Sequence, residues 1–537
     1  MRLLRIEGVD RSLRRTVAVD VESSVVDHVT RWSRTEPDRV AVVEGDLTLS
    51  YRELCEQARK LRASLLAEGC GQGEVVLTAG PRSGNTIVVF LALESLGCVY
   101  VPLDIGWTAE RISEIVDRSG AKRVITYPGL GVSEHVVPEA VAEAVEVAGT
   151  RVLSLERMIA ESADEENGTA DGAGDGARDV AGERRYALYT AEVAGGPQGA
   201  VTAHRGMMNH LWSKVTDLRL RADDRVAFSA PLVFDTAVWQ MLAPLLVGAA
   251  AVVVREPDMT FPRRLLRALG EGRISVVELV PVTIRWLMDE LERQGAGRPS
   301  AFPRWIVATG AELPPALARR IRALLPTTKL MYASGPVECS DDVLHRVVEV
   351  ADLERSRLPR GVPILNATIS ALVPGTGGGW RHALPGEVGE LFVAGAPVGP
   401  GYLNDPAATS RHFYRDGSDP ASPSGLVFRT GDLVTIEDGV VLYRGRADRQ
   451  VPVNGRRIAL EDLEMVIDLH PGVRKCAIVP VAGSLGNPEL VVHYTGDDGV
   501  ASPEVSEEFG EWPLPLRWNR ITVMPLTRKG EIDYESL

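Results

Sequence analysis

Short apolar runs alternate with helical patterns along this chain, and that alternation limits the fold more than any other feature. Val40-Ala41-Val42-Val43 reads as a strand with Leu47 to Ser50 as its hairpin partner. Glu74 to Ala79 reads as a buried strand, and Gly84 to Leu96 as a helix. The stretch from Leu93 to Asp104 then supplies a helix end, a strand and a turn, and Ile274 to Pro281 and Trp305 to Glu312 add further strands. Runs too short for core helices, separated by helix-length periodic segments, specify a parallel sheet with helices packed on it. Amphipathic helices open at Ser24 and at Leu49-Ser50-Tyr51-Arg52-Glu53-Leu54, each behind a serine able to cap it.

A chain of 537 residues is too long for one simple core, so two or more domains are expected. The net charge of −14 argues against a nucleic-acid or anionic-membrane surface. The cysteines at 55, 70, 98, 339 and 476 are scattered and form no CxxC pair, which suits a reducing cytoplasm with no disulfide framework and no zinc site. The first fifteen residues carry charges among their apolar ones and do not read as a signal peptide, and the longest apolar region, Thr86 to Leu103, is broken by Glu94. From Glu161 to Arg185 the composition turns to Asp, Glu, Gly and Ala, which predicts a disordered acidic loop.

Tyr186 to Val201 reads YALYTAEVAGGPQGAV: a buried strand, a glycine-rich turn and a second strand. Phe234-Asp235-Thr236-Ala237-Val238-Trp239, Tyr332-Ala333-Ser334-Gly335-Pro336-Val337-Glu338, Gly389 to Gly395, Phe428-Arg429-Thr430-Gly431-Asp432-Leu433, Gly445-Arg446-Ala447-Asp448-Arg449 and Pro525 to Asp533 follow in order. In order and spacing these stretches resemble the signatures of nonribosomal peptide synthetase adenylation domains, within the adenylate-forming (ANL) superfamily of acyl-CoA synthetases and luciferases. The resemblance covers about Ser24 to Leu537. It implies an α/β fold: a large N-terminal core of α/β subdomains with a β-barrel-like part over residues 1–444, and a small α+β C-terminal lid over 445–537 that hinges at Asp448. Gly375 to Gly379, which looks like a nucleotide loop, reads as a hairpin turn between strand-like runs.

By the same resemblance, Asp235 pairs with the α-ammonium of an amino acid, and Thr236, Trp239, Glu278, Val307, Thr309 and Ala333 line its pocket, with Asp341 and Asp342 close by. So many carboxylates in one pocket predict a cationic ligand, unless Asp341 and Asp342 cap a helix or face solvent. Asp432 is expected to hold ribose hydroxyls, Arg446 to contact the nucleotide, and Glu338 to ligate magnesium.

Departures from the pattern gather where ATP should sit. The family phosphate loop reads YTSGSTGKPKGV, whereas Ala191-Glu192-Val193-Ala194 replaces its hydroxyl run, and Gly196 and Gln198 replace its lysines between the retained Gly195 and Gly199. Hydroxyl and ammonium donors grip polyphosphates, and Glu192 repels them. Ser334 stands where a tyrosine should stack on adenine, and Val337 where a threonine should reach the α-phosphate. Pro452 and Asn454 replace cations just past the hinge. Glu531 stands at the catalytic lysine, with Lys529 two residues before it. A lysine ~4 Å from an anion gains about 4 kcal/mol at an effective dielectric near 20, and a glutamate there reverses the sign.

The residues therefore point to a degenerate adenylation domain that binds no cofactor and is kept as a platform for a carrier protein and neighbouring synthetase domains, as in thiazole-forming modules of the bleomycin type. The resemblance also admits a small MbtH-like helper as partner. Two alternatives stay open: an active enzyme that uses ATP and magnesium with altered phosphate contacts, and an amino-acid sensor built on Asp235.

Overall fold

The computed structural model describes residues 1–132, 137–161, 182–189, 196–295, 302–375, 378–417, 422–453, 456–468, 470, 472–482, 488–497, 516–527 and 532–537. Two large sheets form the α/β body. In one, the strands Arg225–Phe228, Ala250–Val253, Val276–Leu279, Trp305–Ala308 and Lys329–Ser334 run parallel. The hairpin Val40–Glu44/Leu47–Ser50 closes one edge of this sheet, with Val40–Glu44 parallel to its neighbour. In the other, Val75–Ala79, Val99–Leu103, Arg123–Thr126 and Arg151–Ser154 pair in parallel. This sheet continues through Arg184–Tyr189 and the antiparallel Gly199–Ala203 to an edge strand, Gly401–Tyr402.

The helices Gly84–Leu96 and Asp235–Leu246 are buried on nearly every face, with only Ser95 and Thr236 half-exposed. They sit in one apolar cluster with residues of both sheets, among them Val42, Val226, Val76 and Leu188. A helix that is apolar all round needs such a position between two layers. The sequence signals for helix starts are physical caps. Ser50 Oγ accepts from the Glu53 N–H at 3.2 Å, while Glu53 Oε2 accepts from the Ser50 N–H at 2.7 Å. Ser24 and Asp27 make the same reciprocal pair at 3.1 and 2.7 Å.

The barrel-like part is a third sheet of nine strands, built on Ala367–Pro374, Gly389–Gly395 and Leu426–Glu437. Its glycine-rich turn is a hairpin, as the sequence predicts: Ala367–Pro374 pairs antiparallel with Trp380–His382. The first fifteen residues, given no structural role by the sequence, supply three strands to this sheet. Arg2–Leu4 pairs with Phe413–Asp416, Ile6–Glu7 with Trp380–His382, and Leu13–Arg14 with Ala367–Pro374.

The C-terminal part has its own core, in which Leu460, Leu463 and Ile467 of one helix pack on Cys476, Ile478, Leu490 and Val492. Pro452 lies in a two-stranded hairpin opposite Arg457, where an edge strand tolerates a missing N–H. Both ends of the stretch predicted to be a disordered loop lie in regular structure. A helix continues to Glu161 and a strand starts at Arg184, and residues 162–181 between them lie outside the described residues. The five cysteines are unpaired. Among the described residues no helix is long and apolar enough to cross a membrane.

Ser50→Ala removes one half of a reciprocal cap and should destabilise the body by about 1 kcal/mol. Thermal unfolding of the variant should show a lowered midpoint, and Ser50→Thr should restore most of the loss.

Candidate functional site

A cleft of ≈ 1480 Å³ opens over the carboxyl ends of the parallel strands. This is where an open α/β sheet binds its ligands, because the strand ends and following loops diverge there. Asp235 and Thr236 open the helix at one wall, Glu278 comes from Val276–Leu279, Thr309 follows Trp305–Ala308, and Ser334 ends Lys329–Ser334. Asp341 completes the floor. The far wall carries Asp432, Tyr443, Arg446 and Arg449, and the C-terminal part adds Glu461, Glu464, Asp468, Lys475 and Tyr534.

Trp239, Val307 and Ala333 do not line the cleft; they are fully buried behind it. Trp239 acts through Glu278: its Nε1 donates to Glu278 Oε2 at 2.6 Å. Glu338 and Gly199 lie outside the cleft lining as well, and Val337 is buried. Glu192, Gly195, Lys529 and Glu531 fall outside the described residues.

Behind the floor stands a residue that the motifs do not mark. Lys214 has no exposed surface. Its Nζ donates to Asp342 Oδ2 at 2.6 Å and to Glu278 Oε2 at 3.2 Å, and it lies 4.7 Å from the centre of the Trp239 ring. The alternative that Asp341 and Asp342 cap a helix or face solvent is thus set aside: both are buried, and Asp342 is ion-paired. The cation that the pocket carboxylates call for is supplied, in part, by the chain itself. Burial works against the Lys214 charge, but the Asp342 and Glu278 carboxylates outweigh it and hold the amine protonated above its ordinary range. Burial pushes Glu278 up to about 7 against the pull of Lys214. Asp341 is pushed well up by burial and by the carboxylates of Asp342 and Asp235.

The pair extends outward as a chain of charges. His345 Nε2 lies 3.6 Å from Asp342 Oδ2, and its Nδ1 lies 2.8 Å from Asp217 Oδ2. Arg15, beside the third N-terminal strand, donates to Asp217 at 3.0 and 2.7 Å. A periodic signal for Lys214 did exist. Met207, Leu211, Lys214 and Leu218 fall at helical spacing on one stripe, so the lysine had to face inward.

The positions expected from the sequence to hold metal and nucleotide are less complete. His210, Asp341 and Asp342 bring donor atoms within 4.8 Å of one another. Asp342 is already committed to an ammonium, which opposes a second cation there. Glu338 accepts from the Tyr402 hydroxyl at 2.7 Å. One carboxylate holds magnesium only with phosphate oxygens completing the shell, so its fit depends on the nucleotide. Ser334 is half-buried on the cleft wall and presents no ring. Gly196 has φ +88°, and a Cβ there would collide with the Arg118 guanidinium and the Glu114 carboxylate, so a lysine at this position would strain the backbone and displace both.

Cations line the cleft, and four of them are already engaged. Arg446 lies 3.2 Å from Asp432 and 3.0 Å from Asp448. Arg449 meets Glu461 and Glu464, both at 2.8 Å, and sits 3.5 Å from the centre of the Tyr534 ring. Lys475 pairs with Asp468. Arg360 is held between the rings of Tyr332 and Tyr443 at 5.1 and 4.6 Å.

Comparison with known proteins accords with this geometry. The family model described as AMP-binding enzyme matches residues 29–403. Novobiocin biosynthesis protein H of Streptomyces niveus is 30% identical over 525 residues, covering 94% of this chain and 81% of that protein. The dimodular nonribosomal peptide synthase of Bacillus subtilis is 26% identical over 524 residues, covering 96% of this chain and 21% of that synthase, so the chain spans about a fifth of this much larger relative. Among solved structures, Klebsiella oxytoca NpsA in complex with 3-hydroxyanthranilyl-AMSN superposes with a TM-score of 0.78 at 24% identity, covering 95% of this chain and 97% of that one.

Asp217 gives a test of the charge chain. Burial raises its pKa, but His345 and Arg15 bring it down to about 2. A depressed carboxyl adds stability that is present above its ordinary value of 3.8 and is lost as pH falls from there towards 2. Asp217→Asn should therefore cost about 3 kcal/mol at neutral pH, and its thermal midpoint should fall less steeply than the wild type's across that acid window.

Proposed function

Since the chain belongs to the AMP-binding enzyme family, we propose that it is an amino-acid adenylation domain of the nonribosomal peptide synthetase type that no longer activates an amino acid and serves as a structural platform within its module. The observation that carries this reading is the state of the nucleotide side of the cleft. Ser334 offers no ring for adenine, and buried Val337 offers no hydroxyl. The sequence adds Glu531 for the catalytic lysine and a phosphate loop without serine, threonine or lysine between Ala191 and Gly199. Loss of one preorganised donor commonly removes about 10²–10³ in rate, and several such losses leave little capacity for adenylation. The partners under this reading are a carrier protein and adjoining synthetase domains.

A second reading has one observation behind it. Asp432 and Arg446 both line the cleft, which supports a retained ribose end of a nucleotide site. Under that reading the domain forms an aminoacyl adenylate with a different phosphate grip.

Pyrophosphate exchange over a panel of amino acids separates the two. No exchange above background is expected from the wild type. Exchange with any amino acid would overturn the platform reading. The variant Glu531→Lys with Ala191→Ser, Val193→Ser and Ala194→Thr should gain measurable ATP binding by calorimetry where the wild type shows none.

A further inference from the structure

The deep end of the cleft is built unlike an empty pocket. Glu278 and Asp341 form its floor, and each keeps one buried oxygen without a hydrogen-bond partner, Oε1 of Glu278 and Oδ2 of Asp341, the latter 3.1 Å from His210 Nε2. Behind them, Lys214, Trp239 and Asp342 have at most 1% exposed surface. Lys214 reaches this place from the helix His204–Leu218, and its alkyl chain and ammonium fill the volume beyond the floor. Three carboxylates converging from a strand and a turn are a receptor for an ammonium group, since only a paired cation offsets the loss of hydration. Here Lys214 of the same chain pairs with two of the three, Glu278 and Asp342.

We propose that Lys214 determines the specificity of this pocket: its ammonium stands where the cationic side chain of an amino acid would otherwise bind, so the site rejects lysine-like and ornithine-like ligands and closes its deep end to long side chains. The proposal rests on the reading of the cleft as an amino-acid pocket of the adenylation type. It does not rest on the domain being active or silent. Asp235 lines the same cleft, and under that reading it receives the α-ammonium. Any amino acid admitted is small and lacks a side-chain cation.

The test is chemical rescue in the full chain without ATP. Lys214→Ala deletes the equivalent of n-propylammonium and leaves Glu278 and Asp342 unpaired. The variant should unfold at lower temperature than the wild type. Added n-propylammonium should raise its midpoint, n-propanol at the same concentration should not, and neither should move the wild type. Calorimetry should find ornithine bound to the variant about tenfold or more tighter than to the wild type. Failure of n-propylammonium to stabilise the variant, or equal binding of ornithine to both proteins, overturns the proposal. If Lys214→Ala does not fold, Lys214→Ala with Glu278→Gln removes a charge of each sign. Asp342 remains in this variant, so n-propylammonium should still stabilise it, more weakly, and no effect there also overturns the proposal. Pyrophosphate exchange by the wild type with a small amino acid would overturn the platform reading and leave the role of Lys214 standing. Exchange with lysine or ornithine would overturn both.

Discussion

The ammonium of Lys214, buried against Glu278 and Asp342, is the interaction on which the rest of this site depends. Removing three charges from water costs several kcal/mol for each ion, and only close, hydrogen-bonded pairing returns that energy. The surroundings supply it in layers. Trp239 adds an indole N–H to Glu278, His345 stands beside Asp342, and Asp217 and Arg15 complete the run towards the surface. Each group is paired with the next, so removing one leaves its neighbour's charge buried and uncompensated. The helix His204–Leu218, the helix Asp235–Leu246 and the strand Val276–Leu279 are fixed relative to one another by charge as well as by packing.

Much of the frame could be read from the chain. Buried strands of the parallel sheets announce themselves as apolar runs because both faces are covered, and the capped helix at Ser50 is a local pattern of four residues. Carboxylates at 235, 278, 341 and 342 were visible as a group. Their electrostatic outcome was not, because it depends on a lysine more than sixty residues from Glu278 and more than a hundred from Asp342. A charged residue inside an apolar stripe reads as an exception until its partners are placed in space. The N-terminal strands were illegible for a related reason: segments of two or three residues carry no periodicity, and their pairing is set wholly by the strands they join.

The two ends of the cleft tell one story about ligands. At the end with Glu278 and Asp341, anionic groups are plentiful and the chain provides a cation for them. At the opposite end, cations are present, yet Arg446, Arg449 and Lys475 are held by carboxylates of the same chain. In both places, charges that could meet a ligand meet one another. Such internal pairing relieves repulsion within the fold without a ligand.

The strand Leu13–Arg14 and its neighbour Arg15 have a practical bearing on how such a unit can be moved between assemblies. The match to the AMP-binding family starts at residue 29, which makes that position an inviting place to splice. A junction there would discard Arg15, expose Asp217, and unpair the Thr368 and Ile369 edge of the third sheet. The damage would travel through His345 to the floor of the cleft, so a graft intended to leave the pocket untouched would alter it from more than three hundred residues away along the chain.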